Sequence, residues 1–260
     1  MTRSRIIFVL PALLLFAALV FVGKFVLAER PELLVCDVWP PYTIKTAEGM
    51  SGLSVEVIRA VYARLGVEDV KILPLPWKRA LDMARFGEAD GLFSANYTPE
   101  RTVYFNYPDE PLLESPWLVW TRRGTTVRSL DDLKGKRIGV VLGYSYTPEF
   151  WNFIQTYCTV EEVYSDAINF RKLALGRLDA TVADLGNGLV LAAAVDGGIH
   201  PNPGYEIKRD GLYIAFNKKR VSERFVKRFS NALKKFKTTE AYKALWNKYM
   251  TQHRNDQPGE

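Results

Sequence analysis

Residues 90–108, DGLFSANYTPERTVYFNYP, decide how the rest of the chain is read. An acidic turn enters a short apolar strand, Gly91-Leu92-Phe93, which ends in Ser94-Ala95-Asn96. A Thr-Pro-Glu-Arg turn then presents Arg101 ahead of the aromatic run 104–107 (YFNY). Hydroxyl, amide and guanidinium groups at a strand's C-terminal end suit an anionic small molecule, because ligands of open α/β sheets sit at that edge. The guanidinium offers a planar fork of donors matched to a carboxylate. Taken alone, the stretch reads equally well as a capping turn with Arg101 in a surface ion pair.

Upstream, ELLVCDVWPPY (32–42) reads as a buried strand stopped by Pro40-Pro41, which puts Trp39 and Tyr42 at its C-terminal end. A Gly-containing turn (Gly49, Gly52) leads to a helix from about Ser54, with Ile58, Val61, Tyr62 and Leu65 at helical spacing and Gly66 as its end. A short strand over 70–75 precedes a helix from Pro76 to Gly87 that carries Trp77. Downstream, 118–121 reads as a strand leaving the first half, and Ser129 to Asp132 as a capping box. The buried strand 136–142 ends in Gly143-Tyr144-Ser145-Tyr146, with Thr147 as N-cap and Pro148 opening a helix. That junction is a second anion-binding candidate, or simply a capped turn.

The pattern continues as a strand (160–164), a helix (166–175), a strand over 179–183 ending at Asp184, and a small-residue helix (189–195). A Gly/Pro loop, a returning strand (212–216) and two basic helices complete the chain, and the alternation predicts an α/β fold. One pattern occurs twice: helix, Gly87-Glu88-Ala89-Asp90, strand; and helix, Gly176-Arg177-Leu178-Asp179, strand. The echo suggests two α/β lobes facing across a cleft, each offering polar groups at its strand ends.

Composition bounds the function. The 260 residues carry a formal charge of +6, but Arg3, Arg5 and Lys24 lie in a start that has no acidic residue, so the remainder is too mildly basic for a nucleic-acid partner. MTRSR followed by the uncharged run 6–23 reads as an export signal cut after Ala28 or as an uncleaved membrane anchor, with the rest outside the cytoplasmic membrane either way. Two histidines without metal-ligand spacing offer no metal site, and the pattern asks for no cofactor. Cys36 and Cys158 fall in different halves and read as unpaired thiols. The segment 218–248 holds 11 Lys or Arg against two Glu, with apolar faces at helical spacing, and is expected to pack on the first lobe with its basic face in solvent.

In order and spacing these pieces resemble the extracytoplasmic solute-binding proteins of family 3, the polar-amino-acid binders of ABC transport systems. The resemblance runs over about 32–250 and rests on WPPY, GEADG (87–91), TPER with FNYP (98–101, 105–108), LDDLKGKRIGV (130–140) and GRLDA (176–180) leading to Asp184. It implies a type II periplasmic binding protein-like fold: lobe 1 over 29–114 and 211–256, lobe 2 over 115–210, joined by crossing hinge strands, with a polar tail at 257–260. By position Arg101 matches the arginine that grips a ligand α-carboxylate, Ser145 a second-lobe hydroxyl on the same group, and Asp184 the carboxylate for the α-ammonium. Ser94 and Asn96 fall near other polar contacts, Trp39 where an aromatic packs on the ligand, and Trp77 on a further wall; Tyr42 and Tyr144 complete the candidate set. Asn96 stands where the family has a hydroxyl residue, Tyr144 crowds the second-lobe loop, and Lys78 and Arg79 add charge near the wall. The implied function is capture of an amino acid or related zwitterion by hinge closure and delivery to an ABC permease, by a monomer. The alternatives are a membrane-anchored sensor of the same fold and an extracytoplasmic dehydratase; without a Ser-His-Asp or other His-containing constellation, the residues read as a binder rather than an enzyme.

Overall fold

The computed structural model describes residues 31–67, 70–196 and 198–251; the expected export signal or anchor at 1–28 and the expected tail at 257–260 lie outside the described residues. The first half comprises β1 (Leu33–Cys36), the hairpin of β2 (Ile44–Thr46) and β3 (Gly49–Ser51), α1 (Leu53–Arg64), β4 (Lys71–Pro74), α2 (Trp77–Phe86), β5 (Gly91–Asn96) and β6 (Phe105–Asn106). β7 (Leu113–Arg122) crosses to the second half, made of β8 (Arg137–Val141), α3 (Pro148–Tyr157), β9 (Thr159–Val163), α4 (Asp166–Ala174), β10 (Ala180–Asp184) and α5 (Leu185–Ala193). β11 (Ile199–Asn217) returns, and α6 (Glu223–Lys237) and α7 (Glu240–Trp246) finish on the first half.

One mixed sheet runs through both halves in the order β4-β1-β5-β11-β7-β10-β8-β9. Each half places its first strand between two parallel neighbours, β1 between β4 and β5, and β8 between β9 and β10. Each triplet is then bordered by an antiparallel crossing strand, β11 beside β5 and β7 beside β10. The repeated Gly-x-x-Asp segments have the same job in both. The Asp90 N–H donates to the Leu33 carbonyl while its carboxylate accepts from Leu33 N–H at 2.9 Å, and Arg220 Nε donates to the same carboxylate. The Asp179 N–H likewise donates to the Arg137 carbonyl, and its carboxylate accepts from Arg137 N–H at 2.8 Å and from the Arg137 guanidinium. Each aspartate therefore clips the start of its strand to the central strand of its half, satisfying buried backbone donors.

Helix boundaries follow their signals. α2 starts after Pro76 and ends on Gly87 at φ 81, the left-handed cap that glycine adopts without strain. Thr147 caps α3 by accepting from Phe150 N–H, and the Ser129/Asp132 capping box forms on a short 3-10 turn. Along α6, Phe225, Phe229, Leu233 and Phe236 are buried; Phe225 and Phe229 stack edge-on against Tyr62 of α1, and the lysines and arginines between them face solvent.

Four elements differ from the sequence expectation. β1 stops at Cys36, because residues 39–43 fold into a turn in which Trp39 N–H donates to the Thr43 carbonyl. β7 begins at Leu113, and the presumed Gly/Pro loop before 212 is instead most of β11, which pairs with β7 in regular register from Ile199 through Pro201 to Asn202 and shifts register only beyond it. α5 starts at Leu185 because Gly186 and Gly188, poor helix formers by propensity, are demanded by packing. A Cβ on Gly186 would lie 2.4 Å from the Tyr42 hydroxyl oxygen, and one on Gly188 2.0 Å from Trp120 Cζ2. Cys36 and Cys158 are free thiols, Cys36 buried and its ionisation suppressed by that burial. Among the described residues no helix is long and apolar enough to cross a membrane.

Candidate ligand-binding site

The carboxyl ends of β1, β5 and β8, the start of α2 and the inner face of β7 meet around a small, nearly filled cavity. Of the residues expected from sequence, Trp39, Trp77, Ser94, Asn96, Arg101, Tyr144 and Ser145 line it. Asp37 and Trp117, which the sequence reading passed over, complete the lining. Asp37 had a legible signal: a lone acid at the end of a buried strand, where α/β sheets bind ligands.

Arg101 is placed by its turn. Thr98 caps the 3-10 segment Pro99–Val103 and accepts from Arg101 N–H at 3.3 Å. The guanidinium donates through Nη1 to the Asn96 carbonyl and through Nη2 to the Gly143 carbonyl, both at 3.0 Å, and lies 5.5 Å from the Trp77 ring centre. Burial pulls its pKa down, yet an arginine keeps its charge, so it is a fixed cation against the cavity. Trp77 Nε1 donates to the same Gly143 carbonyl at 2.9 Å. Gly143 sits at φ 81, and a Cβ there would come within 3.1 Å of Lys78 Cδ, so glycine is what lets this carbonyl reach two donors. Arg79 points to solvent and Lys78 pairs with Asp82, so neither charges the cavity.

Ser94 is the one non-glycine residue with positive φ, at 57°, among the described residues. The β5–β11 register skips it, leaving a bulge that turns its side chain out of the ladder, and its hydroxyl donates to Ser54 Oγ at 3.0 Å. Asn96 is held at both ends by β11: Nδ2 donates to the Gly211 carbonyl and Oδ1 accepts from Lys208 Nζ. Ser145 Oγ donates to Asn96 Oδ1 at 3.4 Å, from the opposite half.

The acidic end is Asp37. Its Oδ2 accepts from the Tyr144 hydroxyl at 3.5 Å, and that hydroxyl donates to Asp166 Oδ2 at 2.9 Å. Trp39 Nε1 donates to the same Asp166 oxygen, while Asp166 Oδ1 is buried without a partner. Burial, then the facing Asp166 carboxylate, pushes the Asp37 carboxyl up to about 7. The walls between the charged ends are aromatic: Trp39 and Trp117 lie 5.9 Å apart by ring centres, and Tyr144 meets Trp39, Trp77 and Trp117 edge-on.

Asp184 and Tyr42 do not line this cavity. Asp184 is fully buried at the N-cap of α5, where Oδ1 accepts from Asn187 N–H at 3.1 Å and from the Tyr42 hydroxyl at 2.6 Å. The two tie the halves together in the interior, and Asp184 Oδ2 is buried without a partner.

Two α/β halves joined by crossing strands, with a cavity at the facing strand ends, define the fold of the type II periplasmic binding proteins. An ancestral arginine-binding protein bound to arginine has this fold, with a TM-score of 0.74 at 22% identity over 84% of this chain and 96% of that one. Residues 33–252 match the bacterial extracellular solute-binding proteins, family 3, and the chain belongs to that family. The L-cystine-binding protein TcyJ of Escherichia coli K12 is 28% identical over 162 residues, 60% of each chain. The probable amino-acid-binding protein YxeM of Bacillus subtilis is 28% identical over 151 residues, 55% of this chain and 54% of its own. The aligned stretch thus spans 60% of the length of the first of these curated relatives and 54% of the second.

Proposed function

We propose that this protein captures an amino acid or a similarly small zwitterion between its halves and delivers it to the permease of an ABC transporter. The observation that carries the reading is the bipolar cavity: Arg101 at one end, Asp37 at the other, and indole and phenol rings between. A zwitterion complements both ends at once, with its carboxylate on the guanidinium and its ammonium toward Asp37, where the facing rings add cation–π attraction. The acid assigned to the ammonium is Asp37 rather than Asp184, because Asp184 is fully buried and already serves α5. Closure about β7 and β11 would bring Gly143 to Ser145 onto the guest, and a ligand favours the closed form by its excess affinity for it. The chain is read as a binder, not an enzyme, with residues 1–28 serving as export signal or tether.

A thermal-shift and calorimetric screen against amino acids, small organic acids and short peptides tests this. At least one zwitterion should raise the melting temperature, and Arg101→Ala should weaken its binding roughly a hundredfold, ~3 kcal/mol, for loss of a charged hydrogen-bond pair. Binding left intact by Arg101→Ala, or a bound compound returned as a different product, would overturn the reading.

A further inference from the structure

Lys208 is not a cavity residue, yet it touches both walls. It projects from β11 just after the strand's register breaks between Glu206 and Lys208, an irregularity that re-aims a side chain. Its ammonium donates to Asn96 Oδ1 in the first half at 3.1 Å and to the Ser145 carbonyl in the second at 2.6 Å. A third bond goes to Asp210 Oδ2 at 3.2 Å, and the Trp117 ring centre lies 5.0 Å away. The side chain is only 13% exposed. A cation this buried persists only when its three donors are satisfied, and here the acceptors come from three separate segments.

We propose that Lys208 is a positioning residue of the ligand site: one ammonium on the crossing strand holds Asn96 and Ser145, on opposite walls, in register and thereby favours the closed arrangement of the halves. The assignment to a ligand site rests on the amino-acid reading above, but the geometric role does not. Asn96 Oδ1 and the Ser145 carbonyl would each lose a charged donor without Lys208, and no other described side chain bonds to both residues. Burial, and to a lesser degree the Arg101 charge, lowers the Lys208 pKa, while the bonded Asp210 carboxylate and then Asp184 oppose that shift, so the hold is electrostatic as well as directional.

The test uses the full chain with spin labels on Val103→Cys and Tyr157→Cys, both exposed and one in each half, on a Cys158→Ser background. Distances between the labels are read by electron–electron double resonance. Lys208→Met should raise the population of long, open distances at least threefold, and Lys208→Arg should restore the parent distribution. Lys208→Gln, which keeps a polar group without the charge or the reach, should open the halves as well and replaces the Met variant if that chain does not fold. An unchanged distribution in a folded Met or Gln variant overturns the proposal, as does a loss of thermal stability with no change in distances. No ligand enters the measurement, so it stands or fails separately from the amino-acid reading.

Discussion

Asp37 and Asp166 come from opposite halves and share one phenolic hydroxyl, an arrangement that links proton uptake to the site. Burial raises both carboxyls to about 7; Asp184 adds to the shift of Asp166, while donors from Tyr144 and Trp39 oppose it. An ammonium guest needs Asp37 ionised, so affinity for a zwitterion should rise as pH climbs toward 7. Calorimetry at about pH 5.5 and about pH 7.5 should show roughly tenfold tighter binding at the higher value, and Asp37→Asn should bind weakly with a flat profile. The sign for folding is opposite. Between its ordinary 3.8 and about 7 the folded chain holds the Asp37 proton more tightly than the unfolded chain does. That contribution to stability is full below about pH 4 and is lost as pH rises through 7, so Asp37→Asn should flatten this part of a melting-temperature profile. Much of this site was legible in sequence, since Arg101, Ser94, Asn96, Ser145, Trp39, Trp77 and Tyr144 stand at punctuated strand ends or turns. Asp37 carried a signal that the reading passed over, a lone acid at the end of a buried strand, whereas Trp117 carried none, because it lies in a strand that read as starting at 118. Lys208 fell in a stretch read as loop.

Among the elements, the β10–α5 junction separates structural from ligand-binding uses of a carboxylate. Asp184 ends one and caps the other, and its second oxygen has no described partner. Removing the cap and the Tyr42 bond in Asp184→Ala should cost about 1–3 kcal/mol of stability in urea unfolding. Asp184→Asn keeps a capping oxygen and removes a buried charge, so it should stay within about 1 kcal/mol of the parent. Equal losses in both variants would mean that the ionised carboxylate is what the junction requires. Element boundaries were readable wherever chemistry marks them: Pro76 and Gly87 bracket α2, and Thr147-Pro148 opens α3. They were unreadable where tertiary packing overrides local preference. Gly186 and Gly188 argue against a helix until Tyr42 and Trp120 are seen against them, and Pro201 argues against a strand until β7 is seen pairing through it. The repeated Gly-x-x-Asp segment was visible as a pattern, but its purpose, clipping the third strand to the first, needs the strand order.

For the whole molecule, the two triplets of parallel strands are stiff units, and the connection between them is unequal. β10 pairs with β7 without interruption from Ala180 to Asp184, whereas β11 shifts register against β7 between Asn202 and Glu206 and again between Glu206 and Lys208. Missing ladder bonds make a strand easier to bend and open, so motion between the halves should concentrate in that part of β11. The same segment carries Lys208, which places the bending point and the tie across the cleft within a few residues of each other. Hydrogen exchange followed by mass spectrometry or NMR tests the idea. Amides from Tyr205 to Lys208 should exchange at least tenfold faster than those of β10. A saturating zwitterionic ligand should slow them together with those of the 143–146 loop, because closure fixes both. Uniform protection along β11, or slowing confined to the loop, would move the hinge elsewhere and leave the register breaks as a local irregularity of the β7–β11 ladder.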